Sequence, residues 1–392
     1  MRFALLGDHP DGLDVTRALV ESGRYELAVY AGPPAGGKQL ARWGLAPPRQ
    51  GDLEEVLADP AIDAVIVATP LANRAAVLRR ALQSERHVLC VHPADRTADI
   101  AFEAALLQRD TGCVLLPLLP EAVHPAVARF AELARAGDPP SLLEFERWTT
   151  DQPPEDHAEQ TLPGWDVLRA VGGEIAEVFA ISSGEEDTLP ADVLLVSGRF
   201  VSRLPFRATY LCDRPERRWR LSVVGRAAMV LEFPDGWPGA ARLTWTTDTG
   251  ERAVEEWPSL NPWLELVEVF EDALVARGKL PLAALQWQDE LRGLELDDAL
   301  RRSITRGRSS SLDHQETTEE ASFKGTMTLV GCALLWVTLV LLILAAFFPK
   351  LLWVIGPLFA VFLVLQTLRW VIPSRGATDR TSSNAHDGPP VR

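Results

Sequence analysis

Two glycines and a histidine near the N-terminus stand at a spacing that could bind a phosphate. A short apolar segment ends at Gly7, and residues 8–12 (Asp-His-Pro-Asp-Gly) lead from it into a helical segment. A glycine-rich turn at a helix N-terminus binds pyrophosphate through backbone N–H groups and the helix dipole, and its usual pattern is G-x-G-x-x-G. Gly7 and Gly12 are the first and third glycines of that pattern, and His9 stands in place of the second.

The same turn has features that oppose phosphate binding. The His9 side chain occupies space that a pyrophosphate would need, and Asp8 places a negative charge beside it. Asp8 could instead cap the following helix. The segment is therefore interpreted either as a nucleotide-binding turn that uses Gly7, Asp8, His9 and Gly12, or as a strand-turn-helix that binds no dinucleotide tightly.

Three further candidate residues follow two later apolar segments. Thr69 and Pro70 come directly after residues 64–68, and His92 comes shortly after residues 87–90. We expect all three to converge with the glycine turn in one cleft. Imidazole titrates near neutrality, so His92 could donate a hydrogen bond or act as a base. The alternative is that His92 lines the cleft without a catalytic role.

Strands that alternate with helices must position these residues. Short, continuously apolar runs occupy residues 2–6, 25–31, 64–68, 87–90 and 113–116. Runs of this kind, separated by helical segments, are typical of a parallel sheet covered on both faces. The sequence therefore predicts an α/β domain over residues 1–120, with a Rossmann-type, doubly wound parallel sheet.

After residue 120, the continuous apolar runs give way to segments in which apolar and polar residues alternate. Strand-like segments follow at residues 141–149, 192–201, 206–212, 217–224, 228–233 and 240–247. Many of them alternate apolar and polar residues, which indicates an antiparallel sheet with one solvated face. Residues 262–277 carry the apolar stripe of an amphipathic helix. We therefore expect an α+β domain over residues 121–306 whose open antiparallel sheet could form a homo-oligomer.

The C-terminal part of the chain has a different composition. Residues 307–325 predict a flexible linker, and the polar residues 373–392 predict a disordered tail. Between them lie two apolar runs that predict transmembrane helices at residues 326–348 and 351–372, because a bilayer needs ~20 apolar residues per helix. Basic residues flank both ends of this hairpin, which predicts cytoplasmic N- and C-termini at an inner membrane.

The charge and the cysteines exclude some functions. The formal net charge is −15, which argues against nucleic-acid binding because that function needs a basic face. The four cysteines show no C-x-x-C spacing, so we expect no zinc or other metal site.

Several stretches of the first 308 residues resemble the Gfo/Idh/MocA oxidoreductase family. They are residues 68–93, which contain Thr69-Pro70 and end Arg-His-Val-Leu-Cys-Val-His-Pro, residues 125–137, residues 224–228 and residues 294–307. The first is similar to the family's T-P…G-K-H-V-L-C-E-K-P stretch. The resemblance implies a Rossmann domain that binds NAD or NADP and a second domain that binds a sugar-like or cyclitol substrate.

This chain departs from the family pattern at the reacting centre. His92 stands at the position of the family lysine. If Asp166 matches the last residue of the family's D-x-x-x-H-x-x-D segment, the histidine position is Pro163, which cannot accept a proton. The second strand ends Val-Tyr-Ala-Gly at residues 29–32, without the acid that would bind the ribose.

These departures lead to two functional expectations. The first is a membrane-anchored, Gfo/Idh/MocA-like protein with a degenerate active site, which binds a nucleotide or a sugar-like ligand without efficient hydride transfer. NAD or NADP would then bind weakly or not at all, and the catalytic residue is unknown. The alternative is a divergent NAD(P)-dependent oxidoreductase, acting on a sugar-like or cyclitol substrate, in which His92 replaces the lysine.

Overall fold

The computed structural model describes residues 1–136, 140–150, 161–183, 193–225, 228–247, 249–276 and 285–312. The chain divides into two units, residues 1–313 and 314–392. Within the described ranges, no helix combines the length and apolar character that crossing a bilayer requires. The transmembrane helices predicted at residues 326–348 and 351–372, the predicted tail and most of the predicted linker lie outside those ranges.

The N-terminal part forms a parallel sheet of five strands in the order β2-β1-β3-β4-β5. The strands are β1 (Arg2–Gly7), β2 (Glu26–Ala31), β3 (Ala64–Ala68), β4 (His87–Val91) and β5 (Leu115–Leu118). The helices that alternate with them are α1 (Pro10–Glu21), α2 (Pro34–Arg42), α3 (Leu53–Ala58), α4 (Leu71–Gln83) and α5 (Ala98–Thr111). All five residues of β3 are buried, as expected for a central strand covered on both faces. The predicted Rossmann-type sheet is confirmed.

The second sheet has nine strands in the order β13-β12-β11-β10-β6-β9-β8-β7-β14. They are β6 (Leu142–Trp148), β7 (Ile175–Ser182), β8 (Val193–Phe200), β9 (Pro205–Leu211), β10 (Arg218–Val224), β11 (Met229–Phe233), β12 (Ala241–Thr246), β13 (Arg252–Trp257) and β14 (Ser310–Ser311). The predicted antiparallel sheet is confirmed with one correction, because β6 and β9 pair in parallel. Parallel neighbours need a crossover, and the chain between β6 and β9 supplies one that contains a helix and two strands.

Four helices complete the described fold. They are α6 (Pro125–Ala136), α7 (Trp165–Gly172), α8 (Pro262–Val275) and α9 (Trp287–Arg306). The helix predicted at residues 262–277 is α8, and its apolar stripe, which includes Leu266 and Phe270, packs in one core with Phe3 and Leu5 of the first sheet. The amphipathic pattern thus indicated the helix but not the sheet that it covers.

Helix α9 is shared between the two sheets. Its first half buries Trp287 and Leu291 in the core of the first sheet, and its second half buries Leu296 and Leu300 in the core of the second. The Trp287 indole N–H donates to the Ala101 carbonyl at 2.8 Å, which ties the start of α9 to α5. Polar residues in the middle of α9 are therefore held where the two sheets meet.

Candidate functional site

Both glycines of the N-terminal turn are required by close packing. Gly7 has φ +106°, and a Cβ there would lie 2.2 Å from the Ala68 carbonyl oxygen. A Cβ on Gly12 would lie 2.2 Å from the Ala68 Cβ. Only glycine tolerates the positive φ and close approach at Gly7, and at Gly12 the close approach alone requires it. The turn therefore has the backbone shape of a nucleotide-binding turn at these two positions.

His9, rather than Asp8, caps helix α1. The His9 Nδ1 accepts a hydrogen bond from the Asp11 N–H at 3.3 Å, which corrects the alternative in which Asp8 was the cap. Pro10, the first residue of the helix, has no N–H. Burial, with the positive charge of Arg74, lowers the pKa of His9 to about 4, so its imidazole is neutral at pH 7. Two of the backbone donors that would bind a phosphate at this helix end are thus unavailable.

The end of β2 does not offer a ribose-binding acid. Tyr30 is buried, and its hydroxyl donates to the Pro33 carbonyl at 2.7 Å. A Cβ on Gly36, in the first turn of α2, would lie 2.3 Å from that hydroxyl and 2.6 Å from the Asp8 Cβ. The tyrosine and Asp8 are thus packed against the start of α2. The chain thus has the backbone shape of a Rossmann turn, and its second strand ends without an acid.

Thr69 and Pro70 lie beside Gly7, at the end of β3. The Thr69 hydroxyl oxygen is buried and has no hydrogen-bond partner in the described part of the chain. Pro70 has extended backbone angles and precedes α4. The Arg74 guanidinium donates to the Thr69 carbonyl at 2.9 and 3.0 Å and to the Pro93 carbonyl at 2.5 Å. Arg74 thus joins the loops that follow β3 and β4.

His92 is held between two side chains that the sequence did not single out. Its Nδ1 lies 2.5 Å from Oε2 of Glu290, and its Nε2 lies 2.7 Å from the Thr161 hydroxyl. The other Glu290 oxygen accepts from the Ala94 N–H at 2.6 Å, and Glu290 is fully buried. Burial would lower the pKa of His92, but the Glu290 carboxylate outweighs it and raises that pKa. The pair therefore holds a proton between the imidazole and the carboxylate.

A cavity of about 320 Å³ lies against this pair. Its walls contain three tryptophans (Trp165, Trp237 and Trp263), four carboxylates (Asp11, Glu121, Asp166 and Asp289) and two basic side chains (His92 and Arg147). Of the residues predicted for the site, only His92 lines this cavity. Gly7, Asp8, His9, Gly12, Thr69 and Pro70 are not among its lining residues, and they belong to the turn at the ends of β1 and β3.

Two buried aspartates have raised pKa values next to the cavity. Asp297 of α9 accepts from the Leu162 N–H at 3.1 Å and from the Trp165 indole N–H at 2.7 Å, and burial raises its pKa to about 6. Asp166, in the first turn of α7, is 9% exposed, and burial together with the nearby Glu121 raises its pKa to about 6. Perturbed carboxyl groups beside a cavity are typical of functional sites.

Sequence reasoning missed Glu290 and Asp297, although a signal for them exists. They lie seven residues apart in α9, which places them on one face after two helical turns. The neighbouring Leu291 and Leu294 are buried, so two acids in a mostly buried helix mark a polar site. Pro163, at the expected histidine position, lines the cavity and accepts from the Tyr210 hydroxyl at 2.9 Å through its carbonyl.

The fold combines a Rossmann-type parallel sheet with a second, open sheet, and a cavity lies beside His92. Residues 14–118 match the Gfo/Idh/MocA model, described as an oxidoreductase family with an NAD-binding Rossmann fold. Over these residues, the chain is thus similar to the Gfo/Idh/MocA oxidoreductase family, in line with the resemblance of its sequence.

Two curated relatives match about a third of this chain. The chain is 30% identical over 134 residues to D-xylose 1-dehydrogenase (NADP(+)) 2 of Haloferax volcanii, which is 34% of this chain and 41% of that protein. It is 24% identical over 140 residues to the uncharacterized oxidoreductase YrbE of Bacillus subtilis, which is 33% of this chain and 41% of that protein. The matched stretch thus spans well under half of either relative.

Solved structures match a larger part of the fold. Levoglucosan dehydrogenase, in complex with NADH and L-sorbose, has a TM-score of 0.67 and 15% identity over 80% of this chain and 99% of that one. An oxidoreductase from Agrobacterium radiobacter, in complex with NAD+, L-tartaric acid and magnesium, has a TM-score of 0.65 and 15% identity over 79% of this chain and 98% of that one. At this identity the likeness establishes the two-domain fold alone.

Proposed function

We propose that this chain binds a small, polyhydroxylated, sugar-like molecule in the cavity beside His92, without efficient hydride transfer. The observation that carries the proposal is a contrast between two sites. The cavity has tryptophan walls and several carboxylates. In the N-terminal turn, two backbone N–H groups cannot donate to a phosphate. Pro10 has no N–H, and the N–H of Asp11 donates to the His9 side chain.

The cavity walls support a polyhydroxylated ligand. Ionised carboxylates accept hydrogen bonds from ligand hydroxyls, and aromatic faces such as Trp237 and Trp263 provide the apolar contact that small-molecule sites usually have. A volume of about 320 Å³ is at the small end of the ~300–1,000 Å³ range of ligand pockets. The similar proteins include a D-xylose dehydrogenase and a levoglucosan dehydrogenase, whose names point to ligands of this class.

Binding measurements on the full-length chain in detergent micelles test this proposal. Isothermal titration with D-glucose and myo-inositol should show saturable binding, and titration with NADH or NADPH should show none up to millimolar concentration. The variant Trp263→Ala removes one apolar wall of the cavity and should weaken sugar binding. Steady reduction of NAD(P)+ in the presence of a polyol would contradict the absence of hydride transfer.

One observation favours the alternative, a divergent NAD(P)-dependent oxidoreductase. The Glu290–His92 pair can take up a proton from a substrate hydroxyl, because the imidazole lines the cavity and the carboxylate stabilises its protonated form. A nicotinamide would have to supply the hydride acceptor. If turnover exists and is lost in His92→Ala, this alternative replaces the first proposal.

We further propose that the chain is anchored in an inner membrane by helices at residues 326–348 and 351–372, with both termini cytoplasmic. The uncharged apolar runs and the flanking basic residues of the sequence support this arrangement. Membrane fractionation should recover the intact chain with the lipid, and protease added outside sealed inverted vesicles should remove the N-terminal unit. Recovery in the aqueous fraction without detergent would refute the anchor.

A further inference from the structure

We infer that the cavity beside His92 selects a sugar or cyclitol that carries an amine, and that Asp166 binds its ammonium group. This inference rests on the proposed function, because it names the class of sugar-like ligand for the same site.

The basic side chains at the cavity are already matched by acids. Arg147 forms an ion pair with Glu121. His92 pairs with Glu290 at 2.5 Å. Arg169, just behind the wall, lies 2.5 Å from the cavity-lining Asp289. Within each of these three pairs, the basic side chain is matched by an acid, so none of the three forms an ion pair with a further acid of the cavity.

These pairs leave two cavity-lining acids, Asp11 and Asp166; the Asp11 side chain is 41% exposed, and Asp166 is the buried one. It is 9% exposed and lines the cavity. Its carboxylate accepts a hydrogen bond from the Val167 N–H, and within the described ranges no ion pair to it occurs. Glu121 and Asp289 act on it as negative charges, whereas His92 acts as a positive one without forming an ion pair with it. A buried carboxylate without a directly paired cation is costly, and a charged ligand would offset that cost.

An ammonium group fits this place better than a metal ion does. Among the described residues, no group of three or more His, Cys, Asp or Glu side chains could hold a metal. Trp237 and Trp263 line the same cavity, and aromatic faces attract organic cations through their π electrons. A carboxylate and aromatic walls together recognise a compact organic cation with apolar C–H surface, which describes an amino sugar.

Three matched sugars test the inference with the full-length chain in detergent at pH 7.5. D-glucosamine carries the ammonium group, D-glucose carries a hydroxyl in its place, and N-acetyl-D-glucosamine carries an uncharged amide there. Isothermal titration should give at least about tenfold tighter binding of glucosamine than of glucose, since a hydrogen bond to a charged group contributes about that factor. N-acetylglucosamine should bind no better than glucose.

Two variants assign the preference to one side chain. Asp166→Asn should reduce the glucosamine-to-glucose affinity ratio to about one, because it removes the charge and keeps the shape. Asp298→Asn, which changes an acid with a 65% exposed side chain, should leave the ratio unchanged.

The outcomes separate this inference from the proposed function. Equal, saturable binding of glucose and glucosamine would overturn the inference and leave the sugar site intact. Tight binding of N-acetylglucosamine would also overturn it, because the preference would then not depend on charge, and this test needs no variant. Absence of binding by all three sugars would overturn both the inference and the sugar site.

Discussion

At the scale of single residues, the cavity depends on groups that hold charge away from bulk water. His92 is stabilised by the Glu290 carboxylate on one side and the Thr161 hydroxyl on the other. An imidazole is shorter than a lysine side chain and can exchange its proton near neutral pH. The site therefore contains a group that can bind or move a proton.

Asp166 should make the stability of the protein depend on pH. Its pKa rises from an ordinary 3.8 to about 6 in the folded chain, chiefly through burial and then through Glu121. Because the folded state holds this proton more tightly than the unfolded state does, Asp166 lowers stability at neutral pH. That cost shrinks as the pH falls through about 6 towards 4.

Asp166→Asn should therefore stabilise the protein at pH 7.5, by roughly 1–3 kcal/mol in the free energy of unfolding. The gain should decrease steadily at lower pH, because the wild-type carboxyl is then protonated in both states. Urea unfolding at a series of pH values measures this. Asp298→Asn is the control and should change stability by less than ~0.5 kcal/mol at every pH. A gain for Asp166→Asn that does not vary with pH would contradict the assignment.

At the scale of secondary-structure elements, the start of α1 decides how well a dinucleotide can bind. His9 caps the helix by accepting from the Asp11 N–H. His9→Gly should free that N–H and remove the imidazole, so NADH binding should become measurable below millimolar concentration, where the wild type is expected to show none. NADH fluorescence titration measures the affinity. His9→Ala, which also frees the N–H but keeps a Cβ near the phosphates, should gain less, and no gain in either variant would contradict this role of His9.

Helix α9 stabilises the cavity wall through Asp297. This carboxylate accepts from the Leu162 N–H, just before α7, and from the indole N–H of Trp165, the first residue of α7. Asp297→Ala leaves both buried donors without a partner and should cost about 2–4 kcal/mol of unfolding free energy, since each unpaired donor costs ~1–3 kcal/mol. Urea denaturation measures the loss. The adjacent, exposed Asp298→Ala should cost less than ~0.5 kcal/mol, and equal losses would show that helix propensity alone is responsible.

At the scale of the whole molecule, the open face of the second sheet remains a proposed site of self-association. Ile181 of β7 and Leu195 of β8 are opposite each other across the two strands, with exposures of 55% and 42%. Contiguous exposed apolar side chains on a sheet are typical of protein–protein contact surfaces. A homo-oligomer through this face would cover them.

Ile181→Glu should therefore dissociate such an oligomer, because it places a charge in the apolar contact. Sedimentation velocity of the full-length chain in detergent measures the change in mass. Leu264→Glu replaces another exposed apolar side chain, 36% exposed on α8, and should leave the oligomer unchanged. A wild-type protein that sediments as a monomer would refute the association.

Much of the fold could be predicted from local patterns in the sequence. Continuous apolar runs indicated the five parallel strands, and alternating residues indicated most strands of the second sheet. These patterns reflect which face of a helix or strand is buried, because apolar residues recur along the sequence with the period of that element. The spacing of Gly7 and Gly12 was likewise readable from the sequence, although the contact that requires glycine at both positions is made by Ala68 of β3.

The partners of each element were decided only by the tertiary structure. Local periodicity does not show that β6 pairs in parallel with β9, that α8 covers the first sheet, or that His9 rather than Asp8 caps α1. The site depends even more on distant residues, since Glu290 reaches His92 from 198 positions away. Side chains so far apart in sequence meet only because α9 packs against both sheets, and no pattern of neighbouring residues records that contact.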